Sequence, residues 1–104
     1  MNSVTVDIPK SFIVEEVAVF RVKVNKLIEE GNVDFIFDFS QCGFIDSTGL
    51  GALVSIYKKC AEKNGSIKLR SLNPDVRKLF KLTRLDRVFE IFLFYMMKGL
   101  YYYV

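Results

Sequence analysis

The 104-residue chain has no histidine and no tryptophan, and only two cysteines and two prolines. Each absence excludes a class of function. Without histidine there is no Ser-His-Asp or Cys-His catalysis, no imidazole ligand for zinc and no imidazole titrating near neutral pH. The longest apolar run is Ile91 to Met97, whereas a membrane-spanning helix needs about 20 such residues, so no membrane contact is expected. The opening MNSVTVDIPKSF lacks the basic stretch and apolar run of a secretory leader. A cytoplasmic location follows as the expectation, and with it reduced cysteines. The spacing of Cys42 and Cys60 matches neither a metal pair nor a redox motif, so both are read as small buried hydrophobes. A net charge of +3 is too small to imply nucleic acid as a partner.

What is present is ample for one core: 51% of residues are hydrophobic and 26% charged, and the length suits one domain spanning 1–104. Ser3 to Ile8 alternates, with Val4, Val6 and Ile8 on one side, and reads as a half-buried strand ended by Pro9. Val17, Phe20, Val24, Leu27 and Ile28 recur at helical spacing between Val14 and Glu30, with Gly31 as the C-cap. Val33 to Phe39 is a nearly continuous apolar and aromatic run, the pattern of a central strand covered on at least one face. A second helix follows Asp46-Ser47-Thr48-Gly49, with its inner stripe at Leu50, Leu53, Val54, Tyr57 and Ala61 and with Lys58, Lys59, Glu62 and Lys63 facing water. Ser66 to Leu72 returns as a strand. Asn73-Pro74-Asp75 is an N-cap with proline at the first helical position, opening a helix that buries Val76, Leu79 and Phe80. Val88 to Phe92 reads as a last strand, followed by a short helix or an irregular aromatic tail. Alternating strands and helices predict an α/β protein, a single-layer mixed sheet of about four strands packed with about four helices.

In such sheets functional residues gather beyond the carboxyl ends of the strands. The segment there is Phe39 to Gly51, a loop that brings a carboxylate and two hydroxyls to the start of a helix. The first amides of a helix lack internal partners, so Asp46 or Ser47 can cap this one. Gly49 and Gly51 allow the first turn to lie close to a neighbouring strand or to an incoming partner. From the residues alone this is an ordinary N-cap with packing glycines. A catalytic role for Ser47 lacks an activating base, and the loop lacks the spacing and lysine of a phosphate-binding P-loop. No cofactor is expected.

Phe44-Ile45-Asp46-Ser47-Thr48-Gly49-Leu50-Gly51-Ala52-Leu53-Val54, preceded by Asp38-Phe39-Ser40 and followed in register by Ile67-Lys68-Leu69 and by Asn73-Pro74-Asp75-Val76-Arg77-Lys78-Leu79-Phe80, resembles the STAS domain, and specifically the bacterial anti-sigma factor antagonists. The resemblance runs from about residue 33 to 92. It implies that Ser47 is a phosphorylation site and that Asp46, Thr48, Gly49 and Gly51 belong to a partner-binding surface. It implies two partners: an anti-sigma factor that is also a serine kinase, and a serine phosphatase acting on the phosphorylated form. Service in another assembly, transporter-associated or stress-sensing, is the alternative. The lysines of the second helix, and Arg77, Lys78, Lys81, Arg84 and Arg87, read as solvated faces.

Two stretches depart from the family. Only one clear strand precedes the first helix, where the family has a hairpin; the corresponding stretch here is Ile8 to Phe12. The tail at 92–104 is aromatic where the family ends in a polar amphipathic helix. The tail either packs onto the domain's own sheet or, if exposed, serves self-association as a homodimer.

Overall fold

The computed structural model describes the backbone of residues 3–95 and 100–103 and the side chains of residues 3–89. Its elements in chain order are β1 (Val4–Asp7), β2 (Ser11–Phe12), α1 (Val14–Glu29), β3 (Asp34–Asp38), β4 (Phe44–Ile45), α2 (Ser47–Glu62), β5 (Ser66–Arg70), α3 (Pro74–Leu82), a 3-10 turn (Leu85–Arg87), β6 (Glu90–Tyr95) and β7 (Leu100–Tyr103). One sheet has the order β1-β3-β5-β6-β7, and β2 pairs with β4 apart from it. β1, β3, β5 and β6 run parallel and β7 closes the sheet antiparallel to β6.

Period-2 alternation sorts the sheet into two unlike faces. Val6, Ile8, Phe35, Phe37, Phe39, Ile67 and Leu69 are buried. The alternate positions Thr5, Asp7, Asp34, Ile36, Asp38, Ser66, Lys68 and Arg70 are half-buried or exposed. The apolar face receives the helices. Phe20 of α1 meets Phe37 edge-on at 5.2 Å and Phe12 at 4.9 Å, and Phe80 of α3 meets Phe39 at 6.0 Å. Such aromatic pairs add about 0.5–1.5 kcal/mol each beyond the area they bury. The polar face holds the Asp38–Arg70 ion pair at 3.0 Å and the Ser66 to Asp34 hydrogen bond.

The α/β class with a mixed single-layer sheet is as expected; among the described residues the main sheet has five strands rather than about four, and three α-helices plus the 3-10 turn stand where about four helices were expected. Several local readings are corrected. Ser11–Phe12 is a second strand before α1; it pairs parallel with β4 rather than forming a hairpin, and two residues are too few to show alternation. The buried stripe of α2 is Gly49, Ala52, Leu53, Ile56 and Cys60, with Leu50 and Tyr57 at its margin. Val54 is only half-buried and Ala61 is exposed. α2 carries apolar residues around most of its circumference, so its phase depends on what it packs against. The last strand starts at Glu90 rather than Val88, and the chain forms a further strand at Leu100–Tyr103 where a short helix or irregular tail was expected. The proposed exposure of the tail's aromatic side chains, and a homodimer through them, lie outside the described side chains. Both cysteines are buried and unpaired. Burial pushes the thiols of Cys42 and Cys60 above their usual pKa, which keeps them protonated and unreactive.

Candidate functional site

The site is assembled where three segments meet at the carboxyl end of the sheet. The chain leaves β3 at Phe39, crosses a short loop, pairs β4 with β2, and enters α2 at Ser47. The β1–β2 connection fastens this loop: the Lys10 carbonyl accepts hydrogen bonds from the amides of Gly43 (2.9 Å) and Phe44 (3.3 Å). The Gln41 side-chain amide donates to the Ile8 carbonyl at 3.2 Å. From the other side Asn73 acts twice. Its Oδ1 accepts from the Val76 amide and caps α3, and its Nδ2 donates to the Cys42 carbonyl at 3.1 Å.

Asp46, Ser47 and Thr48 divide the work at the start of α2. Asp46 is the N-cap: its Oδ1 accepts from the amides of Thr48 (3.0 Å) and Gly49 (3.1 Å), while its carbonyl accepts the first helical bond from Leu50. The same Oδ1 accepts from the Thr48 hydroxyl at 2.5 Å. These bonds, the one from the Thr48 hydroxyl first, hold the Asp46 carboxyl below its usual pKa. Ser47 is exposed, and its hydroxyl has no hydrogen-bond partner among the described residues. Of the two hydroxyls, one is engaged and one is free.

The two glycines, alike in sequence, differ in the fold. A Cβ on Gly49 would stand 2.7 Å from Phe12 Cδ2 and 2.8 Å from both Ile45 Cγ1 and the Phe12 carbonyl oxygen. Gly49 is therefore what lets α2 lie on the β2–β4 pair. A Cβ on Gly51 would meet nothing within 4 Å. The close approach expected of both glycines holds within the fold for Gly49 only; Gly51 is an exposed stretch of bare helix backbone one turn beyond Ser47.

Phe44 was not singled out from the sequence. It directly precedes the buried Ile45, and the residue is 58% exposed. Two residues are too few to show alternation, so the sequence carries no signal for it. With Gly43, Asp75 and Leu79 it borders a groove of about 300 Å³ between β4 and α3. Lys58, Lys59 and Lys63 are exposed as expected, and Lys59 donates to the Asn25 side chain. Among the described residues no group of three or more acidic or cysteine side chains could hold a metal ion, and no helix is long and apolar enough to cross a membrane.

A strand, an Asp-Ser-Thr-Gly cap and a helix pinned over a small parallel sheet define a recognised class of domain. The STAS domain family matches residues 2–95, and the chain belongs to it. Among curated relatives, the chain is 32% identical over 90 residues to the anti-sigma-B factor antagonist of Bacillus subtilis, covering 86% of this chain and 82% of that protein. Among solved structures, a candidate anti-sigma factor antagonist from Thermotoga maritima superposes with a TM-score of 0.78 at 27% identity, over 90% of this chain and 82% of that one. The unphosphorylated anti-sigma factor antagonist SpoIIAA shares the fold, with a TM-score of 0.78 at 20% identity, over 90% of this chain and 81% of its own.

Proposed function

We propose that this chain is an anti-sigma factor antagonist governed by phosphorylation of Ser47. Unmodified, it binds an anti-sigma factor that is also a serine kinase, and so releases a sigma factor. The kinase transfers phosphate to Ser47 and the complex parts; a serine phosphatase returns the chain to its binding form. The chain performs no catalysis of its own in this scheme.

One observation carries the reading: the Ser47 hydroxyl is exposed and unpartnered among the described residues, whereas the adjacent Thr48 hydroxyl is held by Asp46. The name borne by the Bacillus subtilis relative supports it. The chemistry of the position agrees. A phosphoryl group brings about −1.5 to −2 charges and three acceptor oxygens. At a helix N-terminus the fold tolerates that charge. On a surface that already carries the Asp46 carboxylate and the bare ring of Phe44, it opposes docking of a partner. A modification that costs the fold little and the complex much makes a switch.

The test is incubation with ATP and the serine-kinase anti-sigma factor encoded in the same genome, followed by mass spectrometric mapping. Phosphate is expected on Ser47, none on the Ser47→Ala variant, and loss of the complex on modification. Phosphate on Thr48, or undiminished labelling of Ser47→Ala, refutes the assignment.

A further inference from the structure

We infer that the edge of β1, unpaired among the described residues, with the groove between it and α1, is a docking site for an extended, lysine- or arginine-bearing segment of another protein, which adds to the sheet as a further strand. β1 is an edge of the five-stranded sheet. The Ile8 amide donates to the Asp38 carbonyl at 2.8 Å, and β1 pairs with β3 in register from Val4↔Phe35 to Asp7↔Asp38. In a parallel ladder alternate residues turn both backbone groups to one neighbour. The backbone groups of Val4, Val6 and Ile8 therefore face β3, and those of Thr5 and Asp7 face outward. Natural edges are commonly blunted by lysine or proline. Here the edge is short and carries Asp7 at its carboxyl end, but Pro9 lies past that end and Val4–Asp7 contains no lysine to repel a basic segment.

Beside this edge lies a groove of about 330 Å³ floored by Val6, Pro9, Val19 and Phe20. Val19 leaves 70% of its surface exposed. On the α1 side the groove's ionisable groups are Glu15, Glu16 and Lys23, two acids against one base, and Asp7 borders it from the strand. An added strand would alternate its side chains between this groove and the polar face of the sheet. A lysine or arginine matches the groove: its stem lies on Val19 and Phe20 and its head reaches Glu15 or Glu16. Outward main-chain groups supply affinity and the acidic rim supplies the choice of side chain, as in other strand-addition sites. This surface does not depend on Ser47 or on the function proposed for it.

The test uses the full chain labelled with 15N and two probe peptides, acetyl-Lys-Val-Lys-Val-Lys-amide and its counterpart with glutamate at each lysine. The lysine peptide is expected to shift the amides of Thr5 and Asp7 and to slow their hydrogen exchange. Thr5→Pro removes one outward donor and no inward one, and is expected to weaken binding about tenfold. Glu15→Lys with Glu16→Lys is expected to weaken it about as much and to favour the glutamate peptide; this pair decides the matter if Thr5→Pro does not fold. Equal binding of both peptides to the native chain overturns the proposal, as does pairing of the chain with itself through β1 or a response confined to the Ser47 end.

Discussion

Adding one methyl group at Gly49 and one at Gly51 should move stability in opposite directions. Both residues lie in the first turns of α2, and alanine is favoured over glycine in a helix by about 0.5–1 kcal/mol. At Gly51 a Cβ meets nothing within 4 Å. Gly51→Ala should therefore keep that whole gain. At Gly49 three atoms lie within 2.8 Å of the new Cβ, and one of them is the Phe12 carbonyl oxygen. That oxygen also accepts from the Asp46 amide, so it cannot retreat without loosening the cap. Overpacking of this kind costs roughly 1–3 kcal/mol, and set against the helix gain leaves Gly49→Ala destabilised by about 1 kcal/mol at the centre of the range and by up to about 2.5 kcal/mol.

Urea denaturation followed by far-UV circular dichroism reads both variants against the native chain. At about 4–8 °C in Tm per kcal/mol for a domain near this size, thermal melts should separate the two variants by more than their error. The slope of the urea transition should stay unchanged, because neither methyl alters the surface exposed on unfolding. The reasoning fails if Gly49→Ala is as stable as the native chain. It fails equally if Gly51→Ala is destabilised, since that would mean the exposed backbone there is packed against something.

Asp38 links stability to pH. Its partial burial works to raise its pKa, but the hydrogen bonds from Ser40 and Arg70 outweigh this and hold the carboxyl below the usual range. Its contribution is therefore present above an unfolded pKa of ~3.9 and is lost as pH falls through the lower folded value; denaturant titrations from pH 6 downward should show a shallower acid loss in Asp38→Asn than in the native chain. The buried thiols of Cys42 and Cys60 should react with Ellman's reagent only at the rate at which the fold opens, and an immediate burst of two equivalents in native buffer would contradict their burial.

The legibility of this chain in its sequence follows the reach of each interaction. Asp46 as a cap, Asn73-Pro74 as a helix start and the alternation of β1 and β5 are local, and local patterns are readable. What was misread depends on partners distant in sequence. Nothing within α2 distinguishes Gly49 from Gly51; the difference is made by Phe12, more than thirty residues away along the chain. The phase of α2 was off by one residue because Ile56 and Cys60 are as apolar as Tyr57 and Ala61, and packing against α1, β5 and β4 chooses between the two faces. The second bond of Asn73, to the Cys42 carbonyl, needs the loop to be folded before it exists. The exposed ring of Phe44 was hidden in the same way: a phenylalanine beside an isoleucine reads as core until the short strand fixes which of them points inward.

The arrangement around Asp46 bears on how a phosphorylated Ser47 would behave. A phosphate at a helix N-terminus usually takes hydrogen bonds from the free amides of the first turn. Here the Asp46 carboxylate already accepts from the Thr48 and Gly49 amides, and the Leu50 amide is committed to the Asp46 carbonyl. A phosphoryl group on Ser47 would have to displace Asp46 to be drawn into the fold, and the two negative charges oppose each other. On the proposed reading it would gain nothing from those three amides and would stay at the surface, where the helix dipole is worth about 0.3–1 kcal/mol at an exposed site. That would be a state open to the proposed phosphatase and felt by a docking partner. If Ser47 is phosphorylated as proposed, Asp46, by occupying the cap itself, would keep the helix indifferent to the modification and leave the phosphate available to other proteins.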